Sequence, residues 1–378
     1  MKNICLLGAT GSIGQSTLDI IKTNKDKYCL KAFSFCHNID RAKEIIKEFA
    51  PLMVASPITL HTDTLKKEFP NLIYSNDIND IATFSCDNAV VINALVGSAG
   101  LMPTISTIKA GRDILLANKE SLVMAGEIVM EEANKQNVKV VPIDSEHSAI
   151  FQLLNEQNKK DIKKIIITAS GGALYNKTIE ELKEVTIDEA LSHPTWKMGA
   201  KITIDSATMV NKAYEVIEAY HLFGLQVEQI DTIIHPESII HSMVEFNDYS
   251  IFAQMGVSDM RIPIQYALNY PHHIDNLVSK PLDLSNLTLH FKPMDLDRFK
   301  IMEVVKTVIK KGKFYPVVFN ASNEALVNLF LSGKITFDKI VNKIIEEINK
   351  TEELYGNLPY NLENILKVDE LVKRNLLK

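Results

Sequence analysis

Two carboxylates and an imidazole follow directly on an apolar run near the middle of the chain. The stretch VVPIDSEHSAI indicates a buried strand that ends in the polar residues Asp144, Ser145, Glu146 and His147. Residues two apart in an extended chain point to the same side, so we expect Asp144 and Glu146 to face a common space. Adjacent carboxylates repel one another unless something positive or a shared proton lies between them. A metal ion, a lysine, a shared proton and plain water all remain open here.

A third carboxylate, Glu215, lies in a stretch with helical spacing from Ser206 to about Phe223, before a glycine. Asn211 and Glu215 are i and i+4 and stack on one side of this predicted helix, with Lys212 beside them. Ser206, Asn211 and Lys212 could hold a phosphate through hydroxyl, amide and ammonium donors, although a solvated face would also explain them. Three carboxylates suit Mg²⁺ or Mn²⁺, and no Cys/His cluster offers a zinc site.

The first third of the chain alternates predicted strands with predicted helices, which favours a parallel sheet covered by helices. GATGSIG, with Gly8, Gly11 and Gly14, lies between the first strand and the first helix. Glycines at this point let the backbone approach a phosphate at a helix N-terminus. The spacing predicts dinucleotide binding, with a tight structural turn as the alternative.

The second predicted strand ends in FCHNID, which has no acid before Asp40. An acid there would suit NAD, so its absence favours NADP. His37 and Arg41 are the candidate partners of the extra phosphate. The alternative is that His37 is only an exposed loop residue.

Three further stretches carry polar residues that a core would not select. Lys119 follows the predicted strand DILLAN and is either a solvated charge or a substrate contact. Ser170 opens a Ser-Gly-Gly turn that could cradle a phosphate or be an ordinary loop. HPTWKMG holds Trp196 and Met198 and indicates a mobile flap, or else a loop docked by its tryptophan. KITID, which follows it, is predicted to be a strand.

The rest of the chain is predicted to be structural. Residues 231–256 indicate strands with a turn at Asn247, and their histidines, His235 and His241, are more often structural than catalytic. A short helix is expected within 257–271, and a connector follows. Apolar residues at helical spacing then predict four C-terminal helices.

Composition narrows the class of protein. The 378 residues carry a formal net charge of −6, which gives no indication of a nucleic-acid surface. No apolar run approaches the length of a membrane span, and no signal peptide is recognised, so a cytoplasmic protein is expected. The four cysteines form no C-x-x-C pair and are expected to be reduced thiols.

Taken in order, the motifs GATGSIG, ANKE, PIDSEHSAIFQ, ASGG, HPTWKMGAKITIDSATMVNKAYEVIEA and HPESIIHSMVEF closely resemble the 1-deoxy-D-xylulose 5-phosphate reductoisomerase family. The resemblance implies an NADPH- and metal-dependent conversion of deoxyxylulose phosphate to methylerythritol phosphate in isoprenoid biosynthesis. It also implies a homodimer and inhibition by fosmidomycin.

The implied fold is an α/β Rossmann-like parallel-sheet domain, an α+β catalytic domain with a flexible flap, and a C-terminal four-helix bundle. The corresponding boundaries are 1–145 for the NADPH domain, 146–270 for the catalytic and dimerisation domain with its flap at about 190–200, 271–293 for a connector and 294–378 for the helical domain.

Roles follow from the resemblance residue by residue. The implied metal ligands are Asp144, Glu146 and Glu215. The implied substrate contacts are Lys119, Ser145 and His193, and the implied phosphate site is Ser170, Ser206, Asn211 and Lys212. The implied cofactor contacts are Thr10, Gly11, Ser12, Ile13, Asn38, Asn118, Glu120 and Gly199. Trp196 and Met198 match flap residues, and His147 and His241 match histidines near the active site. Glu146 and Lys119 are the candidates for proton transfer.

Two positions depart from the family pattern. The family usually has Gly-Lys where this chain has Cys36-His37, and Pro-Phe-Arg where it has Ala173-Leu174-Tyr175. The first departure predicts a weaker grip on the 2′-phosphate, because histidine is only partly charged near neutral pH. The second puts the packing of the phosphate loop in question.

Two rival functions would share part of this sequence pattern. A semialdehyde- or homoserine-type dehydrogenase shares the nucleotide domain, but the former needs a catalytic cysteine beyond it, and none follows Cys86. A non-catalytic dinucleotide sensor would have no use for three carboxylates around a metal.

Overall fold

The computed structural model describes residues 1–155 and 157–378. The chain forms two compact units, each built from several segments. Unit 1 comprises residues 1–121, 129–148 and 259–280, and unit 2 comprises 122–128, 149–258 and 281–378. These units are defined by how the chain packs, whereas the four regions given above are defined by their expected functions. The boundaries of those four regions therefore stay a prediction.

Unit 1 is built on a seven-stranded parallel sheet in the order β4-β3-β2-β1-β5-β6-β7. Its strands are β1 (Lys2–Leu7), β2 (Tyr28–Ser34), β3 (Met53–Ala55), β4 (Ile73–Ser75), β5 (Ala89–Asn93), β6 (Ile114–Leu116) and β7 (Val140–Pro142). The order reverses between β1 and β5. Open parallel sheets bind ligands at the carboxyl ends of the strands beside such a reversal.

The helices between these strands confirm the predicted alternation. They are α1 (Ser12–Thr23), α2 (Ile39–Phe49), α3 (Thr59–Glu68), α4 (Asn79–Thr83), α5 (Leu101–Lys109), α6 (Lys119–Gln136) and α7 (Ser145–Leu153), and α11 (Arg261–Asn269) adds a later segment to unit 1. Helices α3 and α4 are not predicted by the apolar pattern, because that pattern is weak there: α3 buries only Thr62 and Leu65, and α4 is five residues long.

The prediction that the strand continues through Asp144 and Glu146 is wrong. Strand β7 ends at Pro142, and α7 begins at Ser145. The backbone N–H of Ser148 donates to the carbonyl of Asp144 at 2.8 Å, which closes the first helical turn. Residues two apart in a helix point in nearly opposite directions. The alternation of side chains along a strand therefore does not determine where Glu146 points relative to Asp144.

Unit 2 contains a five-stranded sheet in the order β11-β10-β8-β9-β12. The strands are β8 (Ile162–Ala169), β9 (Ile230–Ile234), β10 (Ile240–Phe246), β11 (Ile251–Met255) and β12 (Lys292–Pro293). Only the pair β8–β9 is parallel among these strands. The predicted turn at Asn247 joins β10 to β11.

The helices of unit 2 pack with this sheet around one large apolar core. They are α8 (Ile187–Leu191), α9 (Ala200–Ala207), α10 (Val210–Phe223), α12 (Ile301–Lys311), α13 (Phe314–Leu331), α14 (Lys339–Tyr355) and α15 (Leu362–Leu376). The last four confirm the predicted C-terminal helices. Within the described parts of the chain, no helix combines the length and apolar character needed to cross a membrane.

The prediction of a strand at KITID is also wrong. This stretch lies in α9, where Lys201 and Asp205 are i and i+4 and form an ion pair at 2.7 Å. Asp205 also accepts from Asn323 of α13 at 2.8 Å. Met209, with φ +62°, separates α9 from α10, so the predicted helix begins at Val210 instead of Ser206. The contact between Asp205 and Asn323 and the break at Met209 therefore outweigh the strand-like alternation of apolar residues in this stretch.

Candidate active site

The glycine loop of unit 1 turns tightly at the end of β1. A Cβ on Gly8, where φ is +81°, would lie 2.7 Å from the carbonyl oxygen of Ala94, and one on Gly14 would lie 2.4 Å from that of Gly8. These two positions therefore require glycine. Gly11 is the N-cap of α1 and supplies no side-chain cap, so the first N–H groups of this helix face outward without one. This arrangement fits the pyrophosphate of a dinucleotide.

The end of β2 is linked to the glycine loop by a short chain of hydrogen bonds. Arg41 Nε donates to Gln15 Oε1 at 2.8 Å, and Gln15 Nε2 donates to the carbonyl of Ala9 at 2.8 Å. Asn38 caps α2 by accepting the backbone N–H of Arg41 at 3.0 Å. The sequence analysis did not single out Gln15, although its place directly after the glycine motif is a usable signal. His37 is exposed.

The ends of β6 and β7 bring a lysine, an aspartate and a histidine together within unit 1. Lys119 Nζ lies 3.0 Å from Asp144 Oδ2, and His147 Nδ1 lies 3.4 Å from the same oxygen. Burial opposes ionisation of Asp144, but Lys119 and His147 outweigh it and hold the pKa of this carboxyl well below its ordinary value. Lys119 is buried, so the alternative of a solvated charge is wrong.

Asn118 and Glu120 flank Lys119 and serve the local backbone. The Asn118 amide donates at 3.0 Å to the carbonyls of Leu95 and Gly97 and to Glu120 Oε2. Its oxygen caps α6 by accepting the N–H of Ser121 at 3.1 Å. Asn118 therefore ties the loop after β5 to the start of α6.

Ser145 and Glu146 occupy the first turn of α7. The Ser145 hydroxyl donates to Glu146 Oε2 at 2.5 Å. An acidic side chain in a first helical turn is favoured by the helix dipole. Glu146 is half-buried, whereas Ser145 is buried.

In unit 2, α10 holds the predicted constellation around Glu215. Asn211 Nδ2 donates to Glu215 Oε1 at 2.6 Å, and Lys212 Nζ pairs with Glu215 Oε2. Glu215 and Lys212 are both buried. A buried carboxylate is stable only with such a partner. The expected stacking of Asn211 and Glu215 on one helix face is confirmed, and a solvated face is excluded.

The Ser-Gly-Gly loop after β8 packs on α9. A Cβ on Gly172, where φ is +75°, would lie 2.7 Å from the carbonyl oxygen of Ser206, so only glycine fits this approach. Ser170 Oγ accepts the N–H of Gly172 at 3.2 Å. The loop therefore brings Ser170 close to the backbone of Ser206, both of them predicted phosphate-site residues.

His193 joins this loop with a defined tautomer. Its Nδ1 accepts the backbone N–H groups of Thr195 at 3.3 Å and Trp196 at 3.1 Å, so the ring proton lies on Nε2. Nε2–H then donates to Ser170 Oγ at 3.1 Å. Burial lowers the pKa of His193, which favours the neutral ring that this pattern requires.

The predicted flap residues lie beside the same loop. Trp196 is half-buried and lies 6.1 Å from the ring of His241, measured between centroids. Met198 is half-buried, and the exposed Gly199 is the N-cap of α9. A side chain on Gly199 would meet no atom within 4 Å.

The structure shows how the loop that contains Ala173, Leu174 and Tyr175 packs, although these residues depart from the family pattern. The guanidinium of Arg298 donates to the backbone carbonyls of Leu174 and Lys177. Leu174 is buried in the core of unit 2, and Tyr175 packs over Gly171. Arg298 is far away in sequence, so no local pattern could have identified it.

The parallel sheet, its glycine loop at the reversal and the uncapped N-terminus of α1 define a dinucleotide-binding protein. Family models give the particular family. They match residues 4–126 as 1-deoxy-D-xylulose 5-phosphate reductoisomerase, 140–223 as its C-terminal domain and 255–375 as the DXP reductoisomerase C-terminal domain.

Individual relatives agree. The chain is 47% identical over 383 residues to 1-deoxy-D-xylulose 5-phosphate reductoisomerase 2 of Bacillus thuringiensis subsp. konkukian, with 100% of both chains covered. It is 48% identical over 379 residues to the reductoisomerase of a Geobacillus species, covering 99% of this chain and 98% of that one.

Solved structures extend the likeness to three dimensions. A DOX-P reductoisomerase in complex with NADPH, fosmidomycin and magnesium superimposes with a TM-score of 0.92 at 36% identity, covering 100% of this chain and 97% of that one. The Zymomonas mobilis enzyme in complex with NADPH gives 0.90 at 34% identity, covering 100% and 98%. The chain belongs to the 1-deoxy-D-xylulose 5-phosphate reductoisomerase family, with its NADPH- and metal-dependent reaction in isoprenoid biosynthesis.

Proposed function

We propose that Asp144, Glu146 and Glu215 are the ligands of the divalent metal in the conversion of 1-deoxy-D-xylulose 5-phosphate to 2-C-methyl-D-erythritol 4-phosphate. The observation that carries this proposal is the position of Asp144 and Glu146 in unit 1, whose carboxylate oxygens lie within 4.8 Å of one another. Lys119 and His147 beside Asp144 also lower the pKa of this carboxyl. Metal ligands must be deprotonated, and an oxygen-only donor set suits Mg²⁺ or Mn²⁺. When bound, the metal supplies Lewis-acid polarisation of substrate oxygens, and NADPH supplies the hydride.

The substrate phosphate is proposed to bind at Ser170, Ser206, Asn211 and Lys212. Ser170 Oγ already accepts two hydrogen bonds, from His193 and Gly172, which directs its own O–H outward as a donor. The neutral His193 thus orients Ser170. Binding energy from this remote phosphate helps to position the reacting carbons, with Trp196 and Met198 excluding water as the flap.

Lys119, Ser145 and Glu146 are proposed to act at the reacting carbons. Lys119 is held 3.0 Å from Asp144 as an ammonium donor. Glu146 accepts from Ser145 and is proposed as a candidate base. Proton transfer is assigned to Lys119 or Glu146, and His147 and His241 are proposed as neighbours of the active site.

The cofactor is proposed to bind along the carboxyl ends of the unit 1 strands. The N-terminus of α1 fits its pyrophosphate. His37 is proposed as a partner of the 2′-phosphate, and the further contacts are Thr10, Gly11, Ser12, Ile13, Asn38, Asn118, Glu120 and Gly199.

One assay tests the reaction. Purified protein should oxidise NADPH with deoxyxylulose phosphate and Mn²⁺, and a chelator should stop it. Oxidation that survives the chelator would contradict the metal requirement. NADPH binding without turnover would favour the dinucleotide sensor instead.

A homodimer is proposed on the basis of β11, an edge strand of the unit 2 sheet. Ile251, Phe252 and Met255 on this strand and Tyr249 before it are exposed, although all four are large and apolar. An exposed apolar edge invites pairing with a second copy. Light scattering should give twice the mass of the chain, and Phe252→Glu should give a monomer. A monomeric wild-type chain would refute the proposal.

We also propose a cytoplasmic location. All four cysteines are free thiols in the described chain, as a reducing compartment predicts. Cell fractionation tests this, and recovery from a membrane or secreted fraction would refute it.

A further inference from the structure

His61, a residue that no motif singles out, is fixed against the end of β2. Its Nδ1 lies 2.9 Å from the carbonyl oxygen of Cys36. Its ring stacks on Phe35, with centroids 5.7 Å apart and an interplanar angle of 11°. A carbonyl only accepts, so Nδ1 carries a proton. The opposite ring nitrogen, Nε2, therefore lacks a proton in the neutral ring and becomes a donor only when the ring is charged.

Two other nitrogen-bearing side chains, those of His37 and Arg41, lie at the same strand end. The ring of His37 contacts Cys36 Sγ at 3.4 Å, and Arg41 is anchored to Gln15 beside the glycine loop. The strand end itself carries no acid before Asp40. In a dinucleotide-binding sheet, this is where the substituent on the adenosine ribose is read.

The acids on the two adjoining helices pair with other side chains or are exposed. On α2, Glu44 pairs with Arg41 at 2.5 Å and offsets part of its charge, and Asp40 is exposed. On α3, Asp63 is paired with Lys66 at 3.4 Å. The glycine loop between Gly8 and Gly14 has no charged residue.

We propose that His61 is a specificity residue that recognises the 2′-phosphate of NADPH through its protonated imidazole. The proposal rests on the cofactor site proposed above. It predicts that the preference for NADPH over NADH increases as pH falls, because Nε2 can donate to the phosphate only when the ring is charged. The Cys36-His37 departure is then compensated in part by a residue from the next helix.

Binding measured by cofactor fluorescence or calorimetry on the full chain tests this proposal, with NADPH and NADH as probes. His61→Asn keeps an N–H near the position of Nδ1 but removes Nε2. It should weaken NADPH binding roughly three- to tenfold at the acidic end of the pH range in which the protein stays folded, and less at the alkaline end. NADH binding should be unchanged throughout this range. His273→Gln, an exposed histidine of the same unit, is the matched control.

The outcomes separate the alternatives. Equal losses for NADPH and NADH would show that His61 only supports the fold of the site, and a loss that is independent of pH would exclude the charged ring. No loss at all would also overturn the proposal. If the wild-type chain bound neither cofactor, the proposed cofactor site itself would fail.

Discussion

Each unit sets a carboxylate beside a buried lysine, but the two units obtain the pair in different ways. In unit 2, Lys212 and Glu215 lie three residues apart on one helix, where geometry makes them neighbours. In unit 1, Lys119 and Asp144 are 25 residues apart and meet because β6 and β7 are adjacent parallel strands. The local pair is therefore visible in the sequence, whereas the second pair exists only once the sheet has formed.

The largest effect should come from removing the carboxylate charge in either unit. Asp144→Asn and Glu215→Gln should each lower metal-dependent NADPH oxidation about a thousandfold or more, because each would remove a charged ligand of the proposed metal site. Steady-state rates at saturating Mn²⁺ measure this, and circular dichroism should show an intact fold. Asp63→Asn and Glu228→Gln, at exposed carboxylates of units 1 and 2, are the matched controls.

The double variant sharpens this prediction. If both carboxylates serve one metal, Asp144→Asn combined with Glu215→Gln should cost little more activity than either change alone. Full activity in either single variant would refute the metal assignment. Multiplicative losses would mean that the two carboxylates act in separate steps.

The contrast also explains what the sequence could predict about the site. The residues of α10 and their shared face followed from helical spacing. For Lys119, burial was the missing information, since its partner Asp144 lies on another strand. His61, Gln15 and Arg298 were missed because their contacts join segments that no local pattern connects.

The second largest effect concerns stability, and it should differ between the two lysines. Lys212→Met removes the ion pair between Lys212 and Glu215, whose side chain is 0% exposed, and should cost about 3 to 5 kcal/mol. Lys119→Met should cost less, because Asp144 is 15% exposed and keeps His147. Thermal unfolding without metal measures both, and Lys310→Met, at an exposed pair, is the control. An equal loss for both lysines would remove the distinction between the pairs.

Secondary structure was predicted correctly where the apolar residues followed one period, either that of a strand or that of a helix. The prediction failed where the sequence fitted both periods. The parallel strands and the C-terminal helices carry strong apolar patterns and were predicted correctly. In α9, Ile202 and Ile204 alternate like a strand, yet the Lys201–Asp205 pair and the contact to Asn323 favour a helix. Helix α7 begins three residues after the end of β7, so the residues that were predicted to alternate along a strand already lie in or next to a helix.

A third prediction concerns His221, a half-buried histidine of unit 2 whose surroundings disfavour its charged form. His221 packs against Gly126, and burial lowers its pKa from 6.5 to about 4. Between these pH values the unfolded chain binds a proton that the folded chain does not, so stability falls as pH falls. The loss should reach about 3 kcal/mol near pH 4 and should not grow below it because of this group.

Melting temperatures between about pH 7 and pH 4 check this prediction. His221→Gln should show a smaller decrease than the wild type, while His272→Gln, at an exposed histidine, should behave like the wild type. Identical pH profiles for wild type and His221→Gln would show that other groups set the acid sensitivity.

The smallest effect is expected at the exposed end of β2, where a charge is screened by water. His37→Lys places a permanent charge there and should lower the KM for NADPH about two- to fivefold, the range of an exposed ion pair. The gain should shrink at high salt and be absent with NADH. His273→Lys adds the same charge elsewhere in unit 1 and controls for net charge. An unchanged KM for NADPH would show that His37 is an ordinary loop residue and would leave His61 and Arg41 as the partners of the 2′-phosphate. An equal decrease of the KM for NADH would show that the new charge acts on the pyrophosphate instead.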